Sequence, residues 1–236
     1  MIRQSLVSLA AAGLLTARVA CAVQPAAALP TTWSNLVKVE AQKFKAVYLL
    51  PGADFRSYDK VILDPTEVDF VKGWVRKVNA SFSFVSGRTN DADASRIAKA
   101  VREGFDQRWS GAFTRAGWQV VSEPAPDALR IRAVVFNLSI SAPYTVTMSQ
   151  GSVRSVDAGH ASVLIEVRDS ESGALLGSAL DARRAGENKA FIPRSRVSNK
   201  ADFGALFNRW AEICVKGLAQ LKALSPVDAN ARTVRN

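Results

Sequence analysis

Ala161–Arg183 reads ASVLIEVRDSESGALLGSALDAR. Val163, Ile165 and Val167 recur at every second position, the period of a half-buried strand. A second strand-like run, Ala174–Arg183, follows the five-residue polar turn Asp169–Gly173, which ends in glycine. Two such runs joined by a short turn make an antiparallel hairpin. Its core face carries the three apolar residues, which puts Glu166 and Arg168 on the other face, where Asp181 or Arg183 of the partner strand can meet them.

Working outward, Ala128–Ser141 (ALRIRAVVFNLSIS) alternates Leu129, Ile131 and Ala133 with Arg130 and Arg132, then runs continuously apolar through Val134, Val135 and Phe136. That predicts a long strand, half buried at first and more covered later. Gln119–Ser122 reads as a short strand before it. Lys45–Leu50 (KAVYLL) is a strand closed by Pro51-Gly52. Tyr58–Phe70 (YDKVILDPTEVDF) is extended but interrupted at Pro65, which cannot donate to a ladder. Val71–Asn90 shows no dominant period and leaves that stretch unassigned, and Ala142–Gly159 is polar.

Two amphipathic helices complete the pattern. In Ala92–Ala116, Ile97, Val101, Phe105, Trp109 and Phe113 form one stripe, with Asp91 or Asp93 as cap and Gly117 as terminator. Asn199 or Asp202 starts the second, which places Phe203, Leu206, Phe207, Trp210 and Ile213 on one face and ends near Leu224 before Pro226. The expectation is a single α+β domain over residues 31–226, a mostly antiparallel sheet covered by two helices, with residues 227–236 as a disordered tail.

The N-terminus has a different logic. Arg3 precedes the apolar run Leu6–Leu15 and then small residues, the pattern of a secretory signal. The run is shorter than the about 20 residues a spanning helix needs. No later stretch is long enough, so no transmembrane helix is expected in the mature chain. Ala20-Cys21-Ala22 offers cleavage that leaves Val23 first, and Ala26–Ala28 offers a later cut. Cys21 keeps a second reading open, a lipoprotein acylated at that residue and anchored to a membrane. Arg18, three places earlier, stands where such signals carry an aliphatic residue and argues against it.

The 236 residues contain 31 basic and 21 acidic side chains. Removing residues 1–22 takes Arg3 and Arg18 and no acid, leaving 29 against 21, net +8. In an exported protein this charge points to anionic lipid, polymer or an acidic envelope protein rather than to nucleic acid. It is concentrated: Arg183, Arg184, Lys189, Arg194, Arg196 and Lys200 face only Glu187 within eighteen residues, beside Phe191, Ile192 and Pro193. A flexible basic loop with Arg184, Lys189, Arg194, Arg196 and Lys200 turned to an anionic partner is the candidate site; a solvated connector between hairpin and helix is the plainer reading of the same residues.

Catalytic chemistry finds little to use. No G-x-S-x-G elbow, phosphate loop or G-x-G-x-x-G occurs. His160 is the only imidazole, so a hydrolase would have to use it with Ser155 and Asp157 nearby in sequence. Zinc lacks ligands. Asp59, Asp64, Glu67 and Asp69, or Asp169 and Glu171, are oxygen clusters without an EF-hand pattern, and solvated turns and strand faces account for them more simply. No cofactor or metal is expected, and a binding or accessory module is preferred to an enzyme.

Three motifs add a resemblance. Tyr58-Asp59-Lys60 with Asp64-Pro65, the E-x-R-D-S-x-[ST]-G hairpin at Glu166–Gly173, and Trp210-Ala211 in the last helix resemble the bacterial family called domain of unknown function 3313, over about Thr31–Pro226. The resemblance implies an exported protein of a Gram-negative cell envelope, with many lipoproteins among its members and no established activity. It supplies no catalytic residues, and Arg18 departs from the lipoprotein version. It also leaves open a lipoprotein subunit of an inner- or outer-membrane envelope complex.

Overall fold

Alternating apolar residues in three long strands build the frame. The computed structural model describes residues 33, 35–41, 43–80, 88–141, 154–187 and 192–228. Along the chain these form β1 (Val37–Val39), β2 (Ala46–Leu49), β3 (Lys60–Leu63), β4 (Glu67–Phe70), α1 (Trp74–Ala80), α2 (Asp91–Arg115) and β5 (Gln119–Val120). Then come β6 (Ala128–Ile140), β7 (Arg154–Ser155), β8 (Gly159–Asp169), β9 (Leu175–Ala185), β10 (Ile192–Pro193) and α3 (Arg196–Leu224). The expected signal segment, Cys21 included, lies outside the described residues.

The expected hairpin is β8–β9, and β6 pairs with β8 on its other side. The sheet runs β1-β2-β9-β8-β6-β3-β5, with β4 also on β6. Most pairings are antiparallel, but β3 pairs in parallel with β5 and β6, and β4 in parallel with β6. β10 and β7 make a separate two-stranded sheet. The result is one α+β domain with a mostly antiparallel, mixed sheet.

Register sorts the side chains. Val163, Ile165 and Val167 lie opposite Val135, Ala133 and Ile131, and all but Val167 are at most 4% exposed. α2 and α3 pack on this face and on each other, with the Phe105 and Phe207 rings 5.2 Å apart. The other face carries ion pairs. Glu166, 3% exposed, meets Arg132 at 3.5 Å and Arg168 at 3.2 Å, and Arg132 also bonds Glu67 at 2.7 Å. Asp181 is not on that side, contrary to expectation. It lies opposite Val163 and accepts from Trp210 Nε1 at 2.9 Å and from Arg183. In this register Asp181 pairs with Val163 and Arg183 with Ala161, so both expected partners of Glu166 and Arg168 lie on the face that the helices cover.

The break at Pro65 is where α2 joins the sheet. Thr66 N donates to Asp106 Oδ1 at 3.1 Å, and Arg102 Nε donates to Thr66 O at 2.8 Å. Helix side chains thus satisfy the backbone groups that the interrupted ladder releases.

Helix starts differ from the expected ones. α2 is capped by Asn90, one residue before Asp91, with Asp93 closing the capping box. α3 starts at Arg196 under the cap Ser195, with Ser198 completing the box, not at Asn199 or Asp202. Its first turn is mostly exposed, so apolar periodicity cannot reveal it. The unassigned stretch contains a third helix, α1, whose Asn79 side chain bonds both N and O of Thr89 at 2.7 and 2.8 Å. Beyond Pro226 the chain stays attached: Val227 is 7% exposed and its backbone bonds Gly52 N and Ala53 O. Val227, the first residue of the expected tail, is thus part of the packed domain, and residues 229–236 lie outside the described residues.

Gly159 (φ +135°) has no room for a side chain, because a Cβ there would stand 1.9 Å from Ser139 O. Gly117 (φ +88°) has open space around it. In urea unfolding, Gly159→Ala is expected to cost roughly 2 kcal/mol or more, through steric and torsional strain together, and Gly117→Ala only about 1 kcal/mol.

Candidate anion-facing end of the sheet

The long helices run in the same direction. Lys222, near the end of α3, reaches Tyr58 O at 2.5 Å and sits 5.1 Å above the Trp118 ring, just past the end of α2. Their N-termini therefore share the opposite end of the sheet, where β6 finishes, β8 begins and β9 finishes. The positive ends of both helix dipoles meet there.

Arg194 organises this end. Its side chain is 1% exposed, and its guanidinium donates to Gly186 O at 2.6 Å, to Val156 O at 3.3 Å and to the Asp202 carboxylate. Gly186 has φ +60°, and a Cβ on it would meet Asp202 Oδ2 at 2.0 Å, so glycine is what lets the carboxylate approach. One buried cation thereby joins the end of β9, the segment before β8 and the first turns of α3.

The other expected cations divide around it. Arg184 holds Asp157 Oδ2 at 2.7 Å with its side chain 61% exposed. Arg196 and Lys200 project to solvent from the start of α3, which has no acid in its first turn, and Val197 between them is 79% exposed. Cations at a helix N-terminus oppose the dipole, an arrangement that an external anion relieves. Lys189 and Phe191 lie outside the described residues. The expectation of Arg194 as a surface contact is corrected: three internal acceptors hold it inward, and its role is to fix the frame that displays Arg184, Arg196 and Lys200.

A second group of cations escaped the sequence reading. α1 docks at the same end through Trp74 Nε1 on Ile140 O at 3.3 Å. Lys72, Arg76 and Arg88 line an open concavity of about 740 Å3 there, together with Asn79. The signal was available, since residues 71–90 hold Lys72, Arg76, Lys77 and Arg88 and no acid.

The remaining candidates sit elsewhere or are engaged. His160 is exposed on β8 between Ser139 and Arg184 in register, and lines neither cavity described here. Ser155 Oγ accepts from Asp157 N at 3.3 Å, so these residues close a turn. Asp64 is held by Arg130 Nε at 3.0 Å and Glu67 by Arg132. Asp169 accepts from Ser172 and Tyr58, and the Ser172 hydroxyl foremost holds its carboxyl below the usual carboxylate range. Burial, with the Asp169 bond adding to it, pushes the Tyr58 phenol up to about 12. Among the described residues no group of three or more His, Cys, Asp or Glu gathers as metal ligands, and no helix is long and apolar enough to cross a membrane.

The family model described as "Protein of unknown function (DUF3313)" matches residues 28–213. The chain belongs to the DUF3313 family. No curated protein matches it. Among solved structures, it is similar to the PelC dodecamer from Paraburkholderia phytofirmans at 14% identity and TM-score 0.35, over 71% of this chain and 96% of that one. A DUF330 protein from Xanthomonas campestris is similar at 7% identity and TM-score 0.35, over 74% and 91%.

Two outcomes follow for this DUF3313 chain. Arg194→Met is expected to lower unfolding stability by about 2 kcal/mol in urea, less than the ~3–5 kcal/mol for a wholly buried pair because Asp202 keeps access to water. Burial pushes the Cys214 thiol up to about 12, so it stays protonated at neutral and mildly alkaline pH. In a chain starting at Val23, a disulfide thiol reagent at pH 8 is expected to leave the native protein unmodified and to label one thiol after denaturation; rapid native labelling would contradict the buried placement.

Proposed function

We propose that this DUF3313 protein is an exported, non-enzymatic binding or accessory module of the cell envelope that sets its basic end against an anionic surface. The observation that carries the reading is the frame built by Arg194, which is spent on internal acceptors while Arg184, Arg196 and Lys200 are left outside it. Two helix N-termini and the Lys72, Arg76 and Arg88 concavity add positive potential at the same end. The leader at Met1–Ala28 supports export, with the mature chain beginning at Val23 or soon after, in the periplasm. Acylation at Cys21 would instead anchor the chain to a membrane, and intact mass after separating periplasm from membranes distinguishes the two forms.

Phosphatidylglycerol-containing vesicles supply the test. The mature protein is expected to co-sediment with them, and to release as salt is raised from about 50 to 300 mM, because charged contacts near an anionic surface are screened. Arg196→Glu together with Lys200→Glu is expected to weaken binding at least tenfold, each cation near such a surface being worth about 1 kcal/mol. Neither residue is buried, so the fold is retained. Unchanged binding, or equal binding to phosphatidylcholine vesicles, would sink the proposal.

A further inference from the structure

Lys72, Arg76 and Arg88 line one open concavity of about 740 Å3, and no acid lines it with them. All three are exposed, and none makes an ion pair or hydrogen bond with a described residue. The arginines of the sheet differ, since Arg130, Arg132, Arg168, Arg183 and Arg184 each hold a carboxylate. The smaller cavity beside the Pro65 break, about 230 Å3, is lined by Asp64 and Asp106 and so disfavours an anion.

The fold fixes where these cations stand. Trp74 anchors α1: it is 2% exposed, stacks on Phe70 at 4.2 Å and donates to Ile140 O. Gly73 (φ +73°) precedes it, and Arg76 Nη2 folds back to 3.4 Å from where a Cβ on Gly73 would stand. Residue 76 thereby turns its charge toward the start of α1, where Lys72 sits. At the other end of the helix, Asn79 bonds both N and O of Thr89, itself 3% exposed, and this holds Arg88 beside the last turn. Gly73, Val75 and Ala80 line the concavity together with these charges.

Three like charges around one concavity repel one another, and no described residue offsets them. A phosphate monoester does, because it carries roughly −1.5 to −2 at pH 7 and takes paired N–H donors from arginine. A carboxylate or a phosphodiester brings one charge and leaves two cations unmatched. Gly73, Val75 and Ala80 offer no hydrogen-bonding side chain, so the remainder of such a ligand is apolar.

We propose that this concavity binds a phosphate monoester with an apolar substituent. Lys72, Arg76 and Arg88 take the phosphate oxygens, and the apolar part lies on Val75 and Ala80. A soluble ester and a phosphatidate headgroup share this chemistry. Recognition inside the concavity goes beyond the anionic-surface reading and does not require Arg184, Arg196 or Lys200.

Phenyl phosphate, titrated into the full mature protein and followed by amide chemical shifts, is expected to move residues 72–80 and 88–89 saturably. Methyl phenyl phosphate, the singly charged diester, is expected to bind at least about tenfold more weakly. The same loss is expected for phenyl phosphate with the double variant Arg76→Gln, Arg88→Gln, whose two positions are exposed, so the fold is retained. Arg209→Gln with Lys216→Gln removes equal charge from exposed positions of α3 and is expected to change nothing. Vesicles decide the source. Phosphatidate bound at least about fivefold more tightly than phosphatidylglycerol at equal surface charge, with the preference lost in the Arg76, Arg88 variant, assigns a lipid headgroup. No such preference, with phenyl phosphate bound, assigns a soluble ester. Residues 72–80 and 88–89 unmoved, monoester and diester bound alike, or equal weakening in the two double variants would overturn the proposal and leave the anionic-surface reading standing.

Discussion

A guanidinium that points inward is the constraint on which the basic end depends. Arg194 is taken out of water almost completely, and a charge so placed is tolerated only where acceptors surround it. Two backbone carbonyls and one carboxylate do this, and they come from three separate segments, the turn before β8, the end of β9 and the start of α3. Each segment is consequently held in one position relative to the others. The connection between β9 and α3, which by composition reads as a flexible basic loop, instead begins and ends at fixed points, and the exposed cations on either side inherit that fixed geometry.

The sheet beneath separates two kinds of stabilisation. On the helix side, apolar side chains of β6 and β8 meet the aromatic rows of α2 and α3, and Asp181 receives both the Trp210 indole N–H and the Arg183 guanidinium. On the opposite side, arginines and acids alternate across neighbouring strands, and Glu166 is buried between two guanidiniums. Truncating Glu166 would leave two like charges side by side, whereas a surface pair such as Arg56–Asp54 can be lost at little cost. Acids that in isolation suggest a cation site are thus already matched by arginines of the next strand.

Much of the architecture was legible because packing imposes a period. Ile97, Val101, Phe105, Trp109 and Phe113 announce α2, and Val163, Ile165 and Val167 announce β8, since burial on one face leaves a regular trace in the chain. The resemblance to DUF3313 is borne out by the family model, which matches residues 28–213. Where burial is not the organising force, the trace vanishes. The first turn of α3 is held by Ser195 and Ser198, not by apolar contacts; α1 has one buried residue, Trp74; and the β8–β9 register places Asp181 on the helix side. The site was legible as composition and illegible as geometry. Arg194 and Arg196 look alike in sequence, and only the three-dimensional placement of Gly186, Val156 and Asp202 makes one internal and the other external.

The resulting molecule is polarised, with cations and two helix N-termini at one end of the sheet and the helix C-termini with the Tyr58–Asp169 contact at the other. Amide chemical-shift mapping of the mature protein against nanodiscs containing phosphatidylglycerol tests this polarity most directly. The account predicts perturbations concentrated at residues 154–159, 184–187 and 194–200, with the region around Tyr58 and Lys222 unmoved. Perturbations centred on the opposite end, or spread evenly over the surface, would contradict it.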